Sequence, residues 1–399
     1  MKPTPWFGLL TLLPFVFAST ATAQEVKPIV KKIEAIGKDG KGLVPAQKAW
    51  KKLSQMGPES LTEILGAIGN DNIIVANYLN SAVETIASRT LSQGQKLPTK
   101  ALEEFVTNTK NNRKGRSIAF QWLVKVKPST KARLLSQMLD DPELSLRREA
   151  VQVLLNKAND LLEKKNEQAA QAVLKNVSDY VRDLDQVVVL AQGLKKVGNK
   201  MNLRKRLGFI TEWAIAGPFD NTNRTGYRKT FAPEKKTEPA AIYTGKNDQK
   251  VSWRFIKAED SVDDRSPLAG LARVNFNDYI KADDGTNLHD VTAYAMTVIQ
   301  SPKAMPVELR GATRNAIQIF LNGQKLYGKE EYHHGTAPDQ HIGRGMLKPG
   351  QNIVLVKVLQ NNQSESWAQS WVFNLRVCDR LGGTLPVQNV TANVFQQGE

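Results

Sequence analysis

The spacing of apolar residues changes near residue 205, and that switch constrains the fold more than any single motif. Before it, apolar side chains recur every three or four positions. Leu61, Ile64, Leu65 and Ile68 sit at i, i+3, i+4 and i+7, one stripe along a helix. After it they alternate. Ile317, Ile319 and Leu321 share one face of a strand, and Ala316, Gln318 and Phe320 share the other. Charge changes at the same place. Residues 25–206 carry 32 Lys+Arg against 19 Asp+Glu, whereas residues 207–399 carry 22 against 20. Two regions of different physics meet at 200–210. A chain of 399 residues, 41% apolar and 24% charged, is long enough for two or three domains and too apolar for global disorder.

The first residues read as a targeting segment. Lys2 is the basic start, Trp6–Ala18 is mostly apolar, and Ala21-Thr22-Ala23 supplies small residues for cleavage. The apolar run is shorter than the ~20 residues needed to span a bilayer. The expectation is a signal peptide over 1–23, cleaved after Ala23, and a periplasmic or extracellular protein with no transmembrane anchor. The remaining map is a helical, HEAT-like domain over 24–206, a β-sandwich over 207–385 and a C-terminal tail over 386–399.

Within the first region the pattern predicts helices over 28–37, 45–56, 58–69, 71–90, 98–108, 116–125, 129–139, 143–158, 159–176 and 178–197. Pro58 and Pro98 fit first-turn positions, and Ser129 fits a cap. The sharpest segment is Asp140–Ala158. A helix ends at Asp140, Asp141-Pro142 starts the next, Arg147 and Arg148 follow, and the small Ala150 allows close approach. This resembles the second helix of a HEAT repeat, which implies an irregular array of helical hairpins with a long concave surface. A plain helical bundle fits the same helix lengths. Basic clusters at Lys110–Arg116, Lys125–Lys127 and Asn199–Arg206 make Arg113, Lys114 and Arg116 candidate anion-binding residues. A solvated surface explains the same charges, and no aromatic residues interleave with them as a single-strand platform requires. No specific nucleic-acid partner is expected.

The second region contains many short strands separated by Gly turns, with no helices between them. This predicts an antiparallel jelly-roll sandwich. Trp213–Ala216 reads as a strand that Gly217-Pro218-Phe219 ends. Asn322-Gly323 gives the strongest hairpin signal. Strands are also expected over 293–299, 305–310, 353–359 and 370–377, the last with Trp371, Phe373, Leu375 and Val377 on one side. Several of these residues occur in a family order: Trp213 with Gly217-Pro218-Phe219, Phe231-Ala232-Pro233-Glu234, Val251-Ser252-Trp253, Ala293-Tyr294-Ala295, Leu321-Asn322-Gly323, Leu347–Asn352 and Phe373–Arg376. Over residues 207–385 the chain resembles the β-sandwich found repeatedly in exported planctomycete-type proteins. It is similar to galactose-binding-like and glycosidase-accessory domains. The resemblance implies a fold, with sugar binding in some members and a supporting role in others. Where that family has an acidic Gly-Ser/Asn-Asp-Asp turn, this chain has Gly311-Ala312-Thr313-Arg314-Asn315.

The residues for catalysis are sparse. A glycosidase needs two carboxylates facing each other across a cleft. Glu234, Asp263, Asp264, Asp283, Asp284, Glu330 and Glu331 are the acidic candidates, most of them in loops or turns. His333, His334 and His341 with Glu330 or Asp339 lack the spacing of a recognised zinc site, so no metal and no cofactor are expected. Cys378 is the only cysteine, which excludes an intrachain disulfide; it reads as an inert thiol. Sugar binding needs exposed rings beside hydrogen-bonding groups. Tyr332, His333, His334, Trp367 and Asn361, in a run with Asn362 and Gln363, can meet at one end of a sandwich. The functional expectation is a noncatalytic exported binding or scaffold protein that contacts a protein or polysaccharide. The alternatives are a carbohydrate-binding accessory protein for a polysaccharide-degrading system and, behind it, a glycan hydrolase or lyase.

Overall fold

A computed structural model describes residues 23–37, 40–69, 72–260, 268, 270–363 and 365–396. Residues 1–22 of the expected signal peptide and Asp263-Asp264 lie outside them. The chain is α + β, with helices first and antiparallel sheets after. By contact density it divides into two compact units, residues 1–150 and 151–399.

The first unit contains helices α1 (Ala23–Glu34), α2 (Leu43–Leu53), α3 (Leu61–Gly66), α4 (Ile73–Ser92), α5 (Thr99–Thr107), α6 (Arg113–Val126) and α7 (Thr130–Leu135). The stripe Leu61, Ile64, Leu65 and Ile68 is buried, and it joins a core that includes Leu79, Val83, Leu102, Phe120, Leu123 and Leu135. Side-chain caps set several starts. Asn72 Oδ1 accepts from the Ile74 and Val75 amides at α4, and Asn112 Oδ1 accepts from the Gly115 amide at α6. Gly115 has no room for a side chain: a Cβ there would sit 2.2 Å from the Leu65 carbonyl oxygen. Helix α6 therefore packs backbone-close on α3. Helix α8 (Leu144–Glu163) contains the division between the units. It is one element where the sequence suggested a break at 158–159, because nothing in Lys157-Ala158-Asn159-Asp160 removes a donor or forces a turn.

The second unit continues with α9 (Glu167–Ser178), α10 (Leu184–Lys196) and α11 (Leu203–Leu207). Gly208, at φ 72°, ends α11, and the chain then joins a sheet through Val377 N–H to the Gly208 carbonyl, 2.8 Å. The strands are β1 (Glu212–Asp220), β2 (Ile242–Thr244), β3 (Lys250–Ser252), β4 (Arg254–Lys257), β5 (Val274–Asn275), β6 (Val291–Ser301), β7 (Met305–Thr313), β8 (Ala316–Leu321), β9 (Gln324–Lys329), β10 (His341–Leu347), β11 (Gly350–Gln360), β12 (Val372–Cys378) and β13 (Gln388–Asn389). Two short helices, α12 (Ala232–Lys235) and α13 (Thr391–Gln396), lie beside them. The larger sheet runs β4-β1-β6-β11-β8-β9, with β13 also on β6; the smaller runs β10-β7-β12-β5. All pairings are antiparallel.

Alternation assigns the faces. Ile317, Ile319, Val354, Val356, Val358, Trp371, Phe373 and Leu375 fill the core between the sheets. The other face of the larger sheet is also covered. Ala214, Phe219, Tyr294, Met296, Phe320 and Leu355 pack there against Phe231, Tyr243, Val251 and Trp253. Strand β1 does not end at Gly217-Pro218. It continues to Asp220 with a register shift between Ala216 and Phe219, because Phe219 is needed in that outer cluster, 5.2 Å from Phe231 and 5.4 Å from Tyr294. Lys357, on β11, is fully buried in this layer. Its Nζ donates to Glu234 Oε1 at 2.8 Å and to the Lys229 carbonyl at 2.7 Å. Tyr294 O–H donates to the same carboxylate oxygen at 2.5 Å. The hairpin expected at Asn322-Gly323 is present, with φ of 50° and 81°. Among the described residues, no helix is long and apolar enough to cross a membrane.

Candidate functional site

Strand register brings five connections to one end of the sandwich. Asp220 and Gln360 both pair with Val291, Leu359 with Ala316, Lys329 with Ile317, His341 with Gly311 and Phe373 with Thr313. The segments that leave these positions are 221–227, 286–290, 314–315, 330–340 and 361–371. They hold Tyr332, His333, His334, Asn361 and Trp367.

Four of those five residues come together. His333 Nε2 lies 2.5 Å from Asn361 Oδ1. An amide oxygen only accepts, so His333 carries its proton on Nε2. The His333 ring meets Trp367 edge-on at 6.0 Å and lies 6.2 Å from Tyr332. Trp367 is 64% exposed, a large ring left in water beside fixed polar neighbours. His333 itself has φ 59°, and its amide donates to the Arg314 carbonyl at 2.8 Å, so backbone as well as side chain fixes the ring. Asn361 is buried, while Asn362 is exposed. His334 belongs to a different group. Its ring packs on His341 at 5.7 Å, and its Nδ1 is 2.7 Å from Gln340 Nε2.

Beneath this row lies a polar layer that local sequence patterns do not reveal. Asn221 is fully buried. Its Nδ2 donates to the Gln360 carbonyl at 2.9 Å and to Tyr332 Oη at 3.2 Å, and its Oδ1 accepts from the Gly226 amide at 3.1 Å. Gln360 in turn accepts from Asn315 Nδ2 at 3.0 Å and donates to the Ala368 carbonyl at 3.1 Å, directly after Trp367. Burial pushes the Tyr332 phenol up, opposed by the Asn221 hydrogen bond, so it stays neutral. Arg224, in an exposed loop, places its guanidinium 5.3 Å from the Tyr332 ring centroid. The only hint of this layer in the sequence is polar residues at strand ends where alternation calls for apolar ones.

The other candidates take different roles. Arg116 leaves the proposed anion patch: it is fully buried and forms a bidentate pair with Asp141 at 2.8 and 2.6 Å. Its place on α6 sets this, since Arg116, Ala119, Phe120 and Leu123 form one buried face. Arg113 is exposed and Lys114 half-buried. Glu234 is committed to Lys357, Glu330 pairs with Arg228 at 2.8 Å, and Glu331 pairs with Lys329 at 2.5 Å. Asp284 closes its own turn on the Thr286 amide and hydroxyl. Asp339 is held between Arg376 and Arg310, which keep its carboxyl below the usual range against the opposing effect of burial. Among the described residues no three His, Cys, Asp or Glu side chains converge on a metal position. His341 is fully buried, and burial, helped by His334, pushes its pKa down to about 4. Burial pushes the Cys378 thiol up to about 11, which leaves it protonated and unreactive.

No family model matches the chain. No curated protein matches it either. Among solved structures, a PA14 sugar-binding domain from an RTX adhesin is similar over 48% of this chain and 93% of its own, with 11% identity and a TM-score of 0.21. A β-glucosidase from Kluyveromyces marxianus, in complex with glucose, is similar over 75% of this chain and 35% of its own, with 8% identity and a TM-score of 0.20. At these TM-scores no site residue transfers from either structure.

Proposed function

We propose that the chain is a noncatalytic binding protein, exported after loss of residues 1–23, whose sandwich contacts glycan at the loop end. In this reading residues 24–206 form the helical part that meets a protein or polysaccharide partner, and residues 207–385 form the glycan-contacting part. The observation that carries it is the exposed Trp367 indole, set edge-on to a His333 ring that Asn361 holds in place. A flat apolar ring suits the C–H face of a sugar, and fixed donors and acceptors beside it suit the hydroxyls. The polar layer under the row fixes it before a ligand arrives, so little ordering cost falls on binding. Glu330, Glu331 and Asp220 each pair with a cation of their own, which favours binding over hydrolysis.

The test is a glycan array on the full chain, followed by titration of each hit against Trp367→Ala. The expected result is at least a tenfold loss, about 1.4 kcal/mol, with an unchanged unfolding midpoint. A chain that captures no glycan, or a variant that binds as well as the parent, leaves the scaffold reading in its place.

A further inference from the structure

We propose that this site selects acidic glycans, and that Arg224 is the residue that recognises the sugar carboxylate. The inference rests on the glycan reading above and adds its chemical class.

Three observations lead to it. The first is a continuous row. The Arg224 guanidinium lies 5.3 Å from the Tyr332 ring, Tyr332 lies 6.2 Å from His333, and His333 lies 6.0 Å from Trp367. Planar groups therefore extend from an aromatic end to a cationic end, and a chain of sugars lying along them meets a different chemistry at each end. The second is that Arg224 is placed by the backbone. Asn223 and Arg224 have φ of 54° and 61°, and the Arg224 amide donates to the Asn221 carbonyl at 2.8 Å. Two residues on, Gly226 is packed so closely that a Cβ would lie 2.7 Å from the Asp220 carbonyl oxygen. The loop has little freedom to carry the guanidinium elsewhere, and its anchor is the same buried Asn221 that holds Tyr332.

The third is charge matching. Arg228 is paired with Glu330 at 2.8 Å, and Lys246 with Asp220 at 3.4 Å. Arg224 has no carboxylate in ion-pair range among the described residues, and its guanidinium lies over the Tyr332 ring at 5.3 Å. Two acidic groups, Glu330 and Asp290, act on the Tyr332 phenol, and neither cancels Arg224. Glu330 is neutralised by Arg228, and the Asp290 carboxylate forms no ion pair with Arg224. A guanidinium without a carboxylate partner matches the two oxygens of a sugar carboxylate, which a lysine does only as a point charge.

The experiment uses the full chain and short oligogalacturonates, their methyl esters, and sulfated galactan oligomers of equal length, titrated at ~0.15 M salt. The parent is expected to bind the acid at least tenfold more tightly than the ester. Arg224→Gln should bring the affinity for the acid down to that for the ester, and Arg224→Lys should keep only part of the preference. A preference for the sulfated oligomer over the acid would move the recognised group from carboxylate to sulfate and overturn the assignment. Equal binding of acid and ester, or a preference that survives in Arg224→Gln because the net basic charge alone produces it, would overturn the inference and leave glycan binding intact. No binding of any oligomer would remove the glycan reading itself.

Discussion

The Arg116–Asp141 pair in the first unit and the Asn221 network in the second are both polar groups placed in apolar surroundings, but they terminate differently. Arg116 spends its Nε on the Val106 carbonyl at 2.7 Å and both terminal nitrogens on Asp141, and Asp141 also accepts the Glu143 amide at 2.8 Å. Every one of these partners is internal, so the pair ties α5, α6 and the start of α8 together and reaches nothing else. Asn221 is as well satisfied, yet one of its partners is Tyr332, whose ring faces Arg224 and leads to the exposed Trp367. A closed network fixes register. A network that ends in exposed rings transmits that rigidity to a surface, which is what a binding site requires.

The comparison breaks most sharply at Asp141. Asp141→Ala strands a buried guanidinium and should cost about 3–5 kcal/mol in denaturant unfolding of the first unit, with no effect on glycan affinity. An Arg116→Met, Asp141→Leu double variant should recover most of that, because the pair has only internal partners. Asn221→Ala should cost less, about 2–3 kcal/mol, but should also weaken glycan binding. If it changes stability alone, the row does not depend on the layer beneath it.

The next effect is set by pH. His341 has a folded pKa of about 4 against an ordinary value of 6.5. Between those values the unfolded chain takes a proton that the folded chain refuses. The contribution is therefore complete above about pH 6.5, falls as pH drops toward 4, and is flat below. A loss of about 2 kcal/mol across that window, absent in His341→Gln, is expected from denaturant midpoints at pH 7 and 4.5. At the opposite end of the sandwich, Gly323→Val should cost about 1–2 kcal/mol through its φ of 81° alone, since a Cβ there meets nothing. Glycan affinity should not change. Trp367→Ala is the smallest change in stability, within about 0.5 kcal/mol, and the largest in binding.

Much of the fold was legible because its signals are local. The Asn322-Gly323 turn, the alternation of β8, β11 and β12 and the stripe on α3 each follow from neighbours within a few residues. The convergence of Tyr332, His333, Asn361 and Trp367 was readable from the rule that loops at one end of a sandwich meet. The layer below was not, since Asn221 and Gln360 are 139 positions apart and their pairing depends on register. Arg116 was misread by composition. Three cations in four positions look like a surface, while the i, i+3, i+4, i+7 pattern from Arg116 through Ala119, Phe120 and Leu123 shows which one turns inward. Gly217-Pro218 was misread as a stop because a turn signal was weighed without the demand of the outer cluster for Phe219.

The covered outer face of the larger sheet gives Lys357 an unusual chemical status. Its ammonium is enclosed by Glu234, the Lys229 carbonyl and the Phe231 ring, 5.1 Å away, with no exposed surface. Burial pulls its pKa below the ordinary lysine value, against the pull of Glu234, yet the amine is out of reach of any reagent dissolved in water. In a protein with so many exposed lysines, acylating reagents will label the surface within the first exposure. Lys357 will label only when residues 229–236 lift from the sheet. Its modification, read by peptide mass, is a built-in clock for the opening of that layer.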